Sequence, residues 1–152
     1  MTAKVLEIVC LLLVGILAGE EFIVRYGLQP ALNKLDERSH LLARIALVKK
    51  LKLIVPAIML PAVVATILLI ILAGEPGLFR WLGATSLLAF VLFSLLGTVP
   101  INIKVNDWDA DAPPSDWKTI VQRWKHLDTY RSAAAVLAFL FLLISVASQG
   151  AR

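Results

Sequence analysis

The chain has 152 residues, of which 59% are hydrophobic and 17% charged, and its formal net charge is +4. This length allows one domain, and this balance is typical of an integral membrane protein rather than of a soluble enzyme. The basic residues flank apolar segments, where they set membrane orientation, so the net charge does not indicate nucleic-acid binding. The single cysteine, Cys10, excludes a disulfide within the chain.

Four segments predict transmembrane helices. Residues 53–73, 81–103 and 132–149 contain no Asp, Glu, Lys or Arg, and each approaches the roughly 20 residues that a helix needs to cross a bilayer. A fourth apolar segment, 5–24, is interrupted by Glu7, Glu20 and Glu21. An alternative for this segment is a cleaved signal peptide, because Lys4, residues 8–18 and the pair Ala18-Gly19 resemble one.

We therefore predict an all-α fold, a four-transmembrane-helix antiparallel bundle with cytoplasmic helical extensions of helices 2 and 4. The whole chain, 1–152, forms a single membrane domain. The spans are predicted at about residues 3–25, 52–73, 80–101 and 130–149.

The distribution of Lys and Arg predicts the orientation. All of them except Lys4, Arg80 and Arg152 lie in or beside two loops, 26–52 and 102–131. Because basic residues concentrate on the cytoplasmic side, both loops are predicted to be cytoplasmic and both termini to be outside. We expect the plasma (inner) membrane.

Helix 1 is expected to end at Gly27 and Pro30. Glu20 and Glu21 fall in its last turns, and at least one of them should face the bundle interior because lipid exposure of a charge is costly. Glu21 and Arg25 have the spacing of an ion pair on one helix face. Helix 3 is expected to end within residues 99–102.

A cytoplasmic amphipathic helix is predicted to begin at Ala31. The last helix is predicted to run from Trp117 to about Ser148 and therefore to protrude from the bilayer. The two protruding segments are expected to pack on each other. The predicted apolar stripe of the first consists of Leu32, Leu35, Leu42, Ile45 and Ala46. The predicted contact stripe of the second consists of Trp117, Ile120, Val121, Trp124, Asp128 and Arg131.

The four tryptophans fall at or beyond the ends of spans, where aromatic side chains anchor membrane proteins. They are Trp81, Trp108, Trp117 and Trp124. An interfacial belt is the favoured interpretation. The alternative is that Trp108 and Trp117 form the floor of a pocket at the mouth of the bundle.

Ionisable and polar residues gather at the cytoplasmic end of the predicted bundle. The set is Glu20, Glu21, Arg25, His40, Arg44, Asn102, Arg123, His126, Asp128 and Arg131. Buried ionisable groups either pair with each other or line a site, and a purely structural network is an even alternative to a functional one. Asp128 and Arg131 are three residues apart and are predicted to pair.

A metal site is a more specific alternative to a structural network. Mixed nitrogen and oxygen ligands are available from Glu20, Glu21, His40, His126 and Asp128. No spacing motif supports it. Asp128 also lies about 200° around the helix from His126, so these two side chains cannot easily bind one ion. We therefore predict no metal and no other cofactor. Asp107, Asp109 and Asp111 resemble a calcium loop only superficially, because the glycine and the last glutamate are missing.

One run of residues resembles a known family. Thr98-Val99-Pro100-Ile101-Asn102, followed by Trp117, Arg123-Trp124 and Arg131, resembles the anthrone-oxygenase-like family of small four-helix membrane proteins. The resemblance implies oxidation of an anthrone to an anthraquinone with molecular oxygen, as in some fungal members. The family often has a histidine four residues after the tryptophan. Here that position is Asp128, and His126 stands two residues earlier.

Two hypotheses of function follow. The first is an oxygenase acting on a hydrophobic aromatic small molecule, in which Asp128 or Glu20 takes a proton and Arg25 or Arg131 stabilises the resulting anion. Its expected substrate-binding residues are Arg25, Asn102, Trp117, Trp124 and His126. The second is a non-catalytic membrane protein that binds lipid, quinone or a partner subunit through its basic, tryptophan-rich face. The sequence does not decide whether the protein is an enzyme, and it leaves a homo-oligomer open.

Overall fold

The computed structural model of the protein describes residues 2–72, 74 and 76–150. Within this part of the chain every regular element is a helix, which confirms the predicted all-α class. The α-helices are α1 Thr2–Ile23, α2 Gln29–Leu32, α3 Glu37–Leu72, α4 Leu78–Leu92, α5 Val99–Asn106 and α6 Trp117–Gly150. Two π-helical segments, Val24–Leu28 and Phe93–Thr98, join α1 to α2 and α4 to α5. Residue 73 of the predicted second span lies outside the described residues.

Three helical stretches are long and apolar enough to cross a membrane, namely Glu37–Leu72, Leu78–Asn106 and Trp117–Ser148. They cover the described parts of the second, third and fourth predicted spans, so the protein is an integral membrane protein. α1 has 22 residues, about 33 Å at 1.5 Å per residue. It also carries four charged residues and is not among the three stretches, so the first span stays a prediction.

The helices bury two separate apolar clusters. α1 packs against α3 and α6, and α4 packs mainly against α6. The first cluster consists of Cys10, Val14, Leu17, Met59, Ala62, Ala65, Leu69, Leu87, Phe90, Ala134, Ala135, Ala138 and Leu142. The second consists of Val24, Ile45, Val48, Ile101, Val105 and Trp124. Each of α1, the α4–α5 helix and α6 therefore has a short stretch that lies between the two clusters.

Small residues allow α4 and α6 to approach closely. A Cβ atom added to Gly83 would lie 2.7 Å from Cγ of Leu142 and 3.3 Å from its backbone nitrogen. No larger residue fits there without movement of a helix, as is common where membrane helices pack through small residues. Ala135 and Ala138 on α6 are fully buried in the same cluster.

Prolines account for both π-helical segments. Pro30 and Pro100 each stand at the start of the following α-helix, and a proline ring clashes with the carbonyl four residues before it. The helix widens instead of ending: the N–H of Gln29 donates to the carbonyl of Val24, and that of Val99 donates to Ser94. The prediction that these helices end at Gly27–Pro30 and at residues 99–102 was therefore wrong, because helical structure continues to Leu32 and to Asn106.

The helical extension that precedes the second predicted span begins later than predicted and buries a different face. The chain turns at residues 33–36 and α3 begins at Glu37, not at Ala31. Leu35 and Leu42 of the predicted apolar stripe are exposed, whereas His40 and Arg44 are buried. The predicted contact with the last helix is confirmed, because the ring of His40 lies 5.7 Å from that of Trp117.

Two exposed ion pairs hold the loop before α6 and the first turn of α6 against the start of α3. Arg38 Nε donates to Oδ1 of Asp111 at 2.6 Å, and Lys118 pairs with Glu37. The Arg38 guanidinium holds the pKa of the Asp111 carboxyl below its ordinary value. The carboxyl of Asp111, one of the three calcium-loop candidates, is therefore already paired with Arg38.

Candidate functional site

Arg131 is the centre of a buried polar site between the two apolar clusters. Its Nη2 atom lies 2.8 Å from Oε1 of Glu21 and 3.3 Å from Oδ1 of Asp128. Its Nη1 atom donates to Oγ1 of Thr98 at 3.5 Å. One guanidinium thus ties together α1, the second π-helical segment and α6.

Hydroxyl groups and one aromatic ring support this arrangement. Thr98 Oγ1 donates to the carbonyl of Ser94, and Ser94 Oγ donates to the carbonyl of Phe90. The Arg131 guanidinium lies 5.7 Å from the centre of the Phe90 ring, a cation–π distance. Ser132 Oγ donates to the backbone carbonyl of Glu21 at 3.4 Å. The site is therefore anchored to backbone atoms on two helices.

The site holds more acids than bases at its centre. Glu21 and Asp128 have no solvent-accessible surface, and Arg131 is buried. The carboxyl of Glu20 is close enough to interact with those of Glu21 and Asp128. Ionisable groups at this depth are costly and, when present, mark sites of function by default.

Several polar atoms around the site are buried without a hydrogen-bond partner in the described part of the chain. They are both carboxyl oxygens of Glu20, Oδ2 of Asp128, Nε of Arg131, Nε1 of Trp124 and the amide oxygens of Asn102 and Asn106. Folded proteins leave few such atoms. These atoms gather at the end of the bundle that holds the Arg131 guanidinium.

A second buried cation, Arg44, lies beside this site. Its Nη2 donates to Oε1 of Gln29 at 3.0 Å, and its Nε donates to Nε2 of His40 at 3.2 Å. Nδ1 of His40 in turn donates to the carbonyl of Leu32 at 2.9 Å. The guanidinium lies 5.3 Å from the centre of the Trp124 ring, so α2, α3 and α6 meet around it.

The structure brings together some of the predicted site residues and separates others. The Asp128–Arg131 pair is confirmed, and Glu21 faces the interior as expected. The expected Glu21–Arg25 pair was wrong, because Glu21 pairs with Arg131 while Arg25 Nη1 donates to the carbonyl of Lys125.

The predicted tryptophan belt was only partly right. Trp81 is exposed, as a belt residue should be, but Trp124 is 6% exposed and belongs to the second apolar cluster. Trp108 and Trp117 are half-buried, the first against that cluster and the second against His40. Trp124 is buried because Arg44 covers one face of its ring.

The metal candidates do not converge. Among the residues that the structure describes, no group of three or more His, Cys, Asp or Glu side chains is placed to hold a metal ion. Both ring nitrogens of His40 are hydrogen-bonded, one to the carbonyl of Leu32 and the other to Arg44. His126 is exposed on α6.

Sequence reasoning missed Thr98, Gln29 and Ser132 as parts of these sites. One signal could have indicated the first two: the chain contains Gly27-Leu28-Gln29-Pro30 and Gly97-Thr98-Val99-Pro100. Both motifs overlap a π-helical segment, and π-bulges occur frequently at functional sites. No local signal exists for Ser132, which is found only through its contact with α1.

Two grooves border the buried site. An apolar groove of about 480 Å³ is lined by Ala89, Leu92, Phe93, Leu96, Gly97 and Leu127. A basic groove of about 620 Å³ lies between α2 with its preceding π-helical segment and α6, and its lining includes Arg25 and Lys125. Leu127 and Gly97 of the apolar groove are the sequence neighbours of Asp128 and Thr98.

These features define a small helical membrane protein with a buried carboxylate–guanidinium site at one end of its bundle. The sequence model of the family described as "Anthrone oxygenase" matches residues 46–141. This is more than half of the chain, so the chain belongs to the anthrone oxygenase family. The matched part contains Thr98, Asp128 and Arg131 but not Glu21. No curated protein and no solved structure matches the chain.

Proposed function

We propose that this protein oxidises a membrane-dissolved anthrone-type aromatic compound with molecular oxygen at the Asp128–Arg131 site. The observation that carries the proposal is the buried group formed by Glu21, Asp128 and Arg131 in a chain of the anthrone oxygenase family. One oxygen of Asp128 is bound to the guanidinium, and the other is buried without a partner.

The proposed reaction begins with a proton transfer. The methylene carbon of an anthrone loses a proton to Oδ2 of Asp128, and the electron pair moves into the ring system to give an enolate anion. Glu20, whose carboxyl oxygens are also buried without partners, is the alternative base. Arg131 carries the compensating positive charge, and a preorganised charge in a site without water is an effective stabiliser of a developing oxyanion.

The enolate then reduces oxygen. It gives up electrons to dioxygen, a carbon–oxygen bond forms, and the proton taken by the carboxylate completes a hydroperoxide. Loss of water from the hydroperoxide leaves the second carbonyl of the quinone. The sum is one anthrone and one dioxygen to one anthraquinone and one water. The proposed route requires no metal or organic cofactor, because the substrate supplies the electrons.

The apolar groove supports a substrate that arrives from the lipid. Leu92 and Leu96 in its lining are exposed, and in the proposed membrane arrangement they face the hydrocarbon. Among the proposed substrate-binding residues, Asn102 and Trp124 each bury a polar atom without a partner. Arg25 and His126 line the basic groove instead, and Trp117 packs against His40.

The proposal includes the predicted orientation in the plasma membrane. The basic residues of loops 26–52 and 102–131 predict that the Arg131 end of the bundle lies at the cytoplasmic face, with both termini outside. A hydrophobic small molecule and the lipid bilayer are then the partners that this function requires, and a homo-oligomer is compatible with it.

Oxygen uptake with an anthrone tests the proposal. Wild-type protein in lipid nanodiscs is expected to consume one dioxygen per anthrone, faster than empty nanodiscs do. Asp128→Asn removes the base and is expected to lower the rate by about 10²- to 10⁴-fold. Asp111→Asn makes the same chemical change on the exposed loop and should leave the rate unchanged. Uptake no faster than in empty nanodiscs, or an Asp128→Asn variant as fast as wild type, would contradict the proposal.

A further inference from the structure

The basic groove has a lining that the proposed oxidation does not use. One wall is formed by Arg25, Tyr26 and Asn33, and the other by Lys125, His126 and Tyr130. Its volume of about 620 Å³ lies within the usual range of ligand sites, about 300–1,000 Å³. None of the described residues that line it is an aspartate or a glutamate.

The two cations of the groove are held in place by neutral partners. Arg25 Nη1 donates to the backbone carbonyl of Lys125 at 3.1 Å, and Lys125 Nζ donates to Oδ1 of Asn33 at 2.6 Å. Arg44, behind the groove, is bound by Gln29 and His40 and not by an acid. Both Arg44 and Arg25 raise the positive potential at Lys125. The groove therefore has fixed donors and an excess of positive charge.

Two exposed tyrosines give the groove an amphipathic character. Tyr26 lies against Phe22, and Tyr130 stacks on Phe93, with ring centres 4.8 and 5.7 Å apart. Tyrosine is enriched where a membrane protein meets the headgroup layer. The groove thus places two cations beside two aromatic side chains of the type that membrane proteins carry at the headgroup layer.

We propose that the groove between Arg25 and Lys125 binds a phosphate-ester anion, most directly the headgroup of an anionic phospholipid. Basic pockets at the cytoplasmic side of membrane helices recognise such headgroups, and arginine offers a planar pair of donors to a phosphate. The bound phosphate bridges α6 to the segment that follows α1. This proposal does not rest on the proposed oxidation, because neither Asp128 nor Arg131 lines the groove.

Native mass spectrometry of the purified full chain tests this site. After exposure to phosphatidylglycerol, the wild-type protein is expected to retain one lipid, and after exposure to phosphatidylcholine markedly less. Arg25→Gln combined with Lys125→Gln removes both cations and should weaken phosphatidylglycerol binding by about thirtyfold. Lys49→Gln combined with Lys50→Gln removes the same charge from the exposed face of α3 and should change binding less than twofold. Lys125→Gln alone, with an intermediate loss, serves if the double variant does not fold.

Inorganic phosphate distinguishes the source of the anion. If millimolar phosphate does not displace phosphatidylglycerol, the ligand is a lipid headgroup, and if it does, the same donors also take a free phosphate. Two results would overturn the proposal. One is equal retention of phosphatidylglycerol and phosphatidylcholine by the wild type. The other is a Lys125→Gln or double variant that binds phosphatidylglycerol as the wild type does. Oxygen uptake plays no part in this readout, so the test stands if the proposed oxidation fails.

Discussion

Replacement of Arg131 by methionine should destabilise the bundle more than replacement of any exposed basic residue. The guanidinium lies 2.8 Å from Glu21 and 3.3 Å from Asp128. At an effective dielectric constant of about 20, these distances correspond to about 6 and about 5 kcal/mol of Coulomb attraction. The cost of dehydrating the three groups offsets much of this attraction. Removal of one partner from a buried ion pair typically costs about 3–5 kcal/mol, because the other charge is left buried.

Equilibrium unfolding by SDS in mixed micelles, followed by tryptophan fluorescence, measures this loss. Trp124 is buried in the second apolar cluster and provides a signal of the folded state. Arg123→Met is the matched control, since Arg123 is exposed on the same helix. It should change the free energy of unfolding by less than about 0.5 kcal/mol.

A triple variant makes the test sharper. When Glu21→Gln and Asp128→Asn accompany Arg131→Met, no buried charge is left without a partner among these three residues. Replacing a whole buried ion-pair group by uncharged residues often changes the free energy of unfolding very little. The triple variant should therefore recover most of the stability that Arg131→Met loses. A loss below about 1 kcal/mol for Arg131→Met alone would refute the reasoning. So would a triple variant less stable than the single one.

Two further predictions concern helix packing and the loop before α6. Gly83→Ala should lower the free energy of unfolding by about 1–3 kcal/mol, because its Cβ would lie 2.7 Å from Leu142 Cγ. Gly19→Ala, with nothing within 4 Å, should be neutral or stabilising by up to about 1 kcal/mol; equal losses would contradict this. Arg38 lowers the pKa of Asp111, so this pair stabilises the loop above the ordinary aspartate pKa of about 3.9. That stabilisation is lost as the pH falls through the lower folded value. The hydrogen-exchange rate of residues 107–116, corrected for intrinsic rates, should therefore rise in acid for the wild type. In Asp111→Asn the rate should already be high at pH 7. Equal rates in the two proteins at pH 7 would contradict this prediction.

The position of the polar site explains how a membrane bundle tolerates it. Glu21, Thr98 and Asp128 lie between two apolar clusters, and α3 and α6 contribute residues to both of them. The apolar residues on either side exclude water. The Arg131 guanidinium binds polar side chains from three helical segments at once, namely those of Glu21, Thr98 and Asp128. The same enclosure makes an unpaired charge costly, and the three ionisable groups therefore pair with one another.

The π-helical segments limited what periodicity could predict. Each segment adds one residue to a turn, so the faces of the helix before and after Pro30 or Pro100 are rotated relative to each other. A regular helix wheel drawn through either proline therefore assigns the residues beyond it to the wrong face. The predicted stripe with Leu35 and Leu42 failed for a related reason, since it assumed an unbroken helix across residues 33–36.

Local chemistry in the sequence determined the membrane class, the helical fold and the Asp128–Arg131 pair. Charge-free runs of about 20 residues must become helices in lipid, because the backbone has no other hydrogen-bond partner there. Two residues three apart on one helix meet whatever the rest of the chain does. Only the tertiary structure decided that Glu21 pairs with Arg131 and not with Arg25, and that Arg44 is buried against the ring of Trp124. Such choices depend on which helix faces pack together, and that packing joins residues that are far apart in the sequence.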